Sequence, residues 1–198
     1  MTDRFDLSIR RRFAEVKRGP EDMHSYQTDI AVPFLRDNPF SGGFVDLGLG
    51  KTVSSLTVIS EILSEFTSDD PVLVIGPLRV ICDTWPTEIA TWRHTAWMNY
   101  VVIRDEGKSR KEDLARSKAS IHLINWEMVE WLVYFHRESW PYRIVICDES
   151  DRAKDHSSKR FKALAKVRRT PGLIERLHIL TGTLATESYI GLFAQIYL

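Results

Sequence analysis

The chain is poor in the features that mark several protein classes. It has two cysteines, Cys82 and Cys147, far apart and without metal-ligand spacing. Neither a disulfide framework nor a thiolate metal site is expected, and both read as small apolar residues in a reducing compartment. Six histidines are scattered without paired spacing, so no metal is assigned to them. The longest apolar runs, residues 71–77 and 144–147, are strand-sized and far short of a membrane span, so no membrane partner is expected. The opening MTDRFDLSIRRRF has no apolar signal core, which predicts a cytoplasmic protein rather than an exported one. Excess charge is lacking too: 27 basic and 27 acidic residues give a formal net charge of zero. Any surface for nucleic acid has to be local. There is no repeat and no low-complexity segment.

What is present is ordinary globular material, 43% hydrophobic and 27% charged over 198 residues, enough to bury one domain-sized core. Short β-rich runs at 43–47, 72–75, 100–103, 121–124, 143–147 and 177–180 alternate with helix-like stretches at about 51–66, 86–92, 108–117, 127–135 and 159–167. That alternation predicts an α/β fold, a mainly parallel central sheet with helices on both faces. Residues 1–24 read as a polar arm ahead of a domain over 25–198. A helix at 21–37 is expected to end or break near Pro33. The run 187–198 reads as apolar and helical and stops without a cap, a glycine or a polar tail. A chain cut between domains and a naturally short protein both fit that ending.

The most specific local pattern is FVDLGLGKT at 44–52. An apolar strand end, a glycine-rich turn and the opening of an amphipathic stretch are the parts of a phosphate cradle of the P-loop type. Glycines at 48 and 50 let the backbone N–H groups of Gly48, Leu49 and Gly50 close around phosphate oxygens, and the following helix adds its positive dipole end. Lys51 would reach the β- and γ-phosphates, and the Thr52 hydroxyl would ligate Mg²⁺. Val45 stands where the first glycine of that pattern falls.

Binding alone does not hydrolyse a nucleotide. The strand RIVIC runs into Asp148-Glu149-Ser150-Asp151, and a carboxylate at the tip of a buried strand is where a Mg²⁺ partner belongs. Asp148 is the expected metal ligand, acting through its water shell. Glu149 is the expected general base for the attacking water. A solvated acidic loop is the plainer alternative. A third segment, LTGTLATES at 180–188, places Thr181 and Thr183 around Gly182. A Ser/Thr-rich turn capping the next helix explains it equally well.

The order DLGLGKT, GPLRVICDTW, INWEMV, DESD and LTGTLATES resembles superfamily 2 helicases, and within them Snf-type (Swi/Snf-like) double-stranded DNA translocases, in the short version found in bacteriophages. The resemblance covers about 25–198, the first RecA-like motor domain of that family. It implies a three-layer P-loop NTPase domain that uses ATP and Mg²⁺ on double-stranded DNA, in the host cytoplasm if the source is a phage. It further implies that Gln27, after Tyr26, reads adenine, that Lys51, Asp148 and Glu149 are catalytic, and that Thr181, Gly182 and Thr183 couple nucleotide state to DNA. The segments 76–85, with Arg79, and 125–127, with Asn125, match DNA-contacting motifs. Two departures stand out: Ser150-Asp151 where the family commonly has Ala-His, and Leu184 where it usually has proline. The family's motor also has a second RecA-like domain that supplies an arginine to the phosphoryl group, and no counterpart to it is expected within these 198 residues.

A second candidate for DNA is the basic stretch 154–169. On a helix Lys159, Lys162 and Lys166 share one face while Phe161, Leu164, Ala165 and Val167 turn inward; a merely solvated face is the alternative. Trp85, Trp92, Trp126 and Trp131 read as core residues rather than base-stacking platforms. Two functions therefore stand open: the ATP-binding motor domain of a DNA-dependent ATPase, working with a second RecA-like domain or chain, or a truncated module that binds DNA or a partner motor as regulator or decoy. A small-molecule kinase would need a lid, and no arginine-rich lid segment follows the loop.

Overall fold

Along β2 (Val72–Gly76) successive side chains go to opposite sides. Leu73 and Ile75 enter one hydrophobic cluster, Val72 and Val74 another. A strand buried on both faces belongs in a parallel sheet covered by helices. The computed structural model describes residues 18–44, 48–65, 69–149 and 158–182. In it β2 is joined by β1 (Phe40–Phe44), β3 (Tyr100–Ile103), β4 (Ile121–Asn125), β5 (Ile144–Cys147) and β6 (Arg176–Thr181). The spatial order is β1-β6-β5-β2-β4-β3, and every pairing is parallel.

Helices cover both faces. Leu114 of α4 (Lys108–Ala115), Leu132 of α5 (Val129–His136) and Leu164 of α6 (Lys159–Arg169) pack with Leu73 and Ile75. On the other side, Leu56 and Ile59 of α2 (Lys51–Glu65) and Trp85 and Ile89 of α3 (Trp85–Thr91) pack with Val72 and Val74. The expected three-layer α/β fold is the one the chain forms. Among the described residues no helix is long and apolar enough to cross a membrane.

Three expectations about local structure are corrected. Strand β1 begins at Phe40, three residues earlier than the pattern predicts, while 45–47 lie outside the described residues. Its FSGGF sequence is poor strand material. Pairing with β6, from Phe40 opposite Leu177 to Phe44 opposite Thr181, supplies the order that propensity does not.

The break near Pro33 does not occur. A π turn over Gln27–Ala31 passes directly into α1 (Val32–Asp37), with Pro33 in the first turn. Proline lacks an N–H and its ring collides with the carbonyl four residues back. The wider turn, in which the Val32 N–H donates to the Gln27 carbonyl, moves the register past that conflict. The same device precedes Pro86: a π turn over Val80–Thr84 leads into α3, with the Trp85 N–H on the Val80 carbonyl. The helix expected at 86–92 consequently starts earlier. Residues 1–17 of the arm, the run 187–198, Lys154 and Ser150-Asp151 lie outside the described residues, while Met23, at the arm's end, packs into a core cluster with Val53 and Trp92.

Candidate functional site

Because all six strands run the same way, everything that follows a strand lies along one edge of the sheet. That edge is where open α/β sheets bind ligands. Onto it come the glycine loop after β1, Arg79 after β2, Asn125 at the end of β4, Asp148 after β5, and Thr181 and Gly182 at the end of β6.

In the loop, Gly48 and Gly50 take φ values of 85° and 71°, the left-handed region that glycine enters without strain. Lys51 is the first residue of α2 and Thr52 the second. The 15-residue helix thus presents its N–H groups and positive end to the loop. The Ser54 N–H and hydroxyl both donate to the Gly50 carbonyl, at 3.1 and 3.2 Å, fixing the first turn. Two residues of the π turn region brace the loop from outside. The Tyr26 hydroxyl donates to the Leu49 carbonyl at 2.8 Å, and Gln27 Nε2 donates to the same oxygen at 3.2 Å. Gln27 Oε1 accepts the His24 N–H at 2.9 Å. Beside this brace lies a mostly apolar cavity of about 320 Å³, bordered by Tyr26, Ile30, Phe34, Leu49, Lys51 and Ser54.

Asp148 sits 4% exposed at the tip of β5. Burial pushes its carboxyl above the ordinary value. Opposing that push are an indole N–H from Trp85 at 2.9 Å on Oδ2, the Glu149 N–H at 2.9 Å on Oδ1, and the positive charge of Lys51. The backbone is held too: the Asp148 N–H donates to Ile75 at 2.7 Å, and Trp126 Nε1 donates to the Asp148 carbonyl at 3.1 Å. Glu149 has φ 46°, a left-handed conformation that costs a non-glycine residue about 1 kcal/mol. Lys51 and Asp148, distant in sequence, thus act on one another. A glycine loop at a helix N-terminus, a lysine and a buried carboxylate are the donor set that phosphates and Mg²⁺ require.

The nucleic-acid candidates divide. Asn125 Nδ2 donates to Glu127 Oε2 at 2.5 Å, and Arg160 of α6 lies 3.8 Å from Glu127 Oε1. The start of α6 is thereby tied to the end of β4. Lys159, Lys162 and Lys166 are exposed while Phe161, Leu164, Ala165 and Val167 are buried, as the periodicity predicts. At 1.5 Å per residue, Lys166 is about 10 Å farther along the helix than Lys159. Two residues on, Arg168 lies over the Phe40 ring at 3.9 Å, at the start of β1. Lys159 is therefore beside the candidate site and Lys166 well down the flank. Arg79 is exposed ahead of the second π turn. Thr181 is buried and pairs across the sheet with Phe44; Thr183 lies outside the described residues.

Sequence reasoning missed two features. Trp85 and Trp126 are buried, as expected of core residues, yet each spends its one polar group on Asp148. Tyr26, noted only as the neighbour of Gln27, bonds the glycine loop itself. Only the presence of a donor on a large apolar side chain hinted at either, since a buried indole or phenol seeks a partner.

The SNF2-related domain model matches residues 36–194. A protein designated p41 from Acyrthosiphon pisum secondary endosymbiont phage 1 is 31% identical over 170 residues, covering 84% of this chain and 36% of that protein. The "Probable ATP-dependent DNA helicase CHR12" of Arabidopsis thaliana is also 31% identical, over 168 residues, covering 82% of this chain and 15% of the plant protein. The chain therefore spans well under half the length of either. Among solved structures, the Sulfolobus solfataricus SWI2/SNF2 ATPase core in complex with dsDNA superposes with a TM-score of 0.71 at 22% identity, over 94% of this chain and 37% of that one. The UvsW helicase from bacteriophage T4 gives 0.65 at 15% identity, over 92% and 61%.

Proposed function

Since the chain belongs to the SNF2-related domain family, we propose that it is the ATP-binding motor domain of a DNA-dependent ATPase that acts on double-stranded DNA. The observation that carries this is the placement of Lys51, at the head of α2 beside the glycine loop, on the same sheet edge as the buried Asp148 carboxylate that follows β5. A relative with the same fold was solved as an ATPase core with dsDNA, which supports the choice of substrate class.

The residues divide the work as follows. Backbone N–H groups of Gly48, Leu49 and Gly50 cradle the phosphates, and Lys51 offsets their charge. The Thr52 hydroxyl and Asp148 would hold Mg²⁺, which when bound would supply charge neutralisation to the phosphates. Glu149 takes the proton of the water that attacks the γ-phosphorus as the bond to the bridging oxygen breaks. Gln27, already braced on the loop, borders the side on which a base would lie, with Tyr26 and the adjoining cavity. Thr181, Gly182 and Thr183 carry the nucleotide state toward the DNA side, where Arg79, Asn125 and the lysines of α6 meet phosphates.

Efficient turnover needs a second RecA-like domain. An arginine finger in comparable phosphoryl-transfer sites is worth about 10³–10⁵ in rate, and the described residues supply no arginine to this loop. The test is MgATP affinity by calorimetry for wild type and Lys51→Ala. Loss of binding in the variant, with an unchanged melting temperature, supports the proposal. Equal affinity would mean that the loop is not the nucleotide site and would favour a non-enzymatic module.

A further inference from the structure

We infer that Trp85 is a positioning residue for the metal carboxylate, its indole N–H holding Asp148 Oδ2 in the orientation from which Asp148 serves the ion. The inference rests on the nucleotide-site reading above and goes beyond it, to a residue outside both the phosphate loop and the acidic pair.

The geometry is specific. Trp85 is 0% exposed and Asp148 4%, so no bulk water competes for the 2.9 Å bond between them. A charge-assisted hydrogen bond in such surroundings is among the stronger kinds. A carboxylate has two oxygens, and both are addressed from fixed directions: Oδ1 by the Glu149 backbone N–H and Oδ2 by the indole. Each oxygen keeps lone-pair capacity for one further partner, so the indole orients the group without closing it to a metal's water shell. Trp126 Nε1 on the Asp148 carbonyl and the Asp148 N–H on Ile75 fix the backbone behind it. The carboxylate then has little rotational freedom left.

The placement of Trp85 gives this a second consequence. It ends the π turn over Val80–Thr84, and the exposed Arg79 immediately precedes that turn. The β2 end approaches closely as well: a methyl group added at Gly76 would lie 3.5 Å from Asp148 Cβ and 3.2 Å from Ile81. Trp126 likewise follows Asn125 directly. The two segments that carry candidate DNA contacts therefore both anchor on Asp148 through an indole N–H, Trp85 on its carboxylate and Trp126 on its backbone carbonyl.

The experiment measures Mn²⁺, standing in for Mg²⁺, binding to the full chain with a non-hydrolysable ATP analogue, read by electron paramagnetic resonance. Trp85→Phe removes the donor and should weaken Mn²⁺ binding by about 10-fold, on the scale of a lost hydrogen bond to a charged group. The analogue's affinity without metal should stay unchanged. Trp92→Phe is the control, because Trp92 Nε1 also donates to a carboxylate, Glu88 Oε2 at 2.7 Å, but not to Asp148; Mn²⁺ binding should equal wild type. If Trp85→Phe does not fold, benzothienylalanine at position 85 keeps the ring shape and removes only the N–H, and the same weakening is expected. Mn²⁺ affinity within about twofold of wild type in the folded variant, well below the loss expected of that bond, overturns the inference while leaving the nucleotide site standing. Loss of the nucleotide site itself would appear separately, as analogue binding indifferent to Lys51→Ala.

Discussion

The Gln27 carboxamide and Gly50 are in steric register: a methyl group at Gly50 would come within 2.0 Å of Gln27 Nε2. The same amide donates to the Leu49 carbonyl, so the π turn over Gln27–Ala31 and the glycine loop form one braced unit. A side chain at position 50 fits only if the Gln27 carboxamide gives up this position.

Gly50→Ala should therefore fail twice, once on the φ of 71° and once on the collision with Gln27. The expected result is a loss of MgATP affinity of at least about 10-fold, with destabilisation of about 1–3 kcal/mol, the range of backbone strain plus overpacking. Calorimetric titration and thermal melts check both. Wild-type affinity in the variant would show that the loop rearranges on binding.

Glu149 offers a case in which stability and activity should separate. Its φ of 46° is relaxed by glycine. Glu149→Gly should keep a melting temperature equal to or above wild type, by up to about 1 kcal/mol of relieved strain. It should nevertheless lose any hydrolysis, as should Glu149→Gln with its binding of ATP intact. Retained turnover in Glu149→Gln would remove Glu149 from the role of base.

The lysines of α6 should matter to DNA in graded fashion. Replacing Lys159, Lys162 and Lys166 together by Ala should weaken double-stranded DNA binding for all sequences. It should also flatten the slope of log K against log salt by about 2–3, near one for each phosphate no longer neutralised. Because Lys159 adjoins the Arg160–Glu127 ion pair and Lys166 does not, Lys159→Ala alone should cost more than Lys166→Ala. An unchanged salt slope in the triple variant would mark a merely solvated face. By contrast Leu164→Ala, on the buried side, should cost about 2–5 kcal/mol of stability.

Acid should destabilise the fold through buried imidazoles. Burial pushes His122 and His178 down to about 4 from the ordinary 6.5. Between those values the unfolded chain binds protons that the folded one refuses. The contribution is complete above about pH 6.5 and declines as pH falls toward 4, by about 1–2 kcal/mol per imidazole between pH 7 and 5. Asp148, raised by burial, works in the opposite sense, since protonation favours its folded form. Thermal melts should fall from pH 7 to 5 in wild type and fall less steeply in His178→Leu. Equal slopes would remove His178 as a contributor.

How much of this could be read in the chain depends on whether the cause was local. Alternating runs such as Val72–Gly76 and the periodic face of α6 carry their structure in their own spacing, so fold class and helix face were legible. Strand β1 was not, because FSGGF is ordered by its pairing with β6 rather than by its own residues. Nor were the π turns before Pro33 and Pro86: proline is the visible signal, but whether a helix stops or shifts register depends on what packs beyond it. The glycine loop and the Asp148-Glu149 pair stood out as candidates from residue type and order. The indole bonds to Asp148 join residues 63 and 22 positions apart, and only the folded sheet brings them together.

The central claim is that this chain holds one half of an ATP-driven motor. Steady-state ATP turnover with and without double-stranded DNA, measured beside ATP binding for wild type and Lys51→Ala, tests it most directly. The expected result is binding that requires Lys51, with turnover far below about 1 s⁻¹, the lower end of ordinary enzyme rates, even with DNA present. ATP binding that ignores Lys51 would contradict the nucleotide site. Lys51-dependent turnover above that rate, stimulated by DNA, would contradict the need for a second domain.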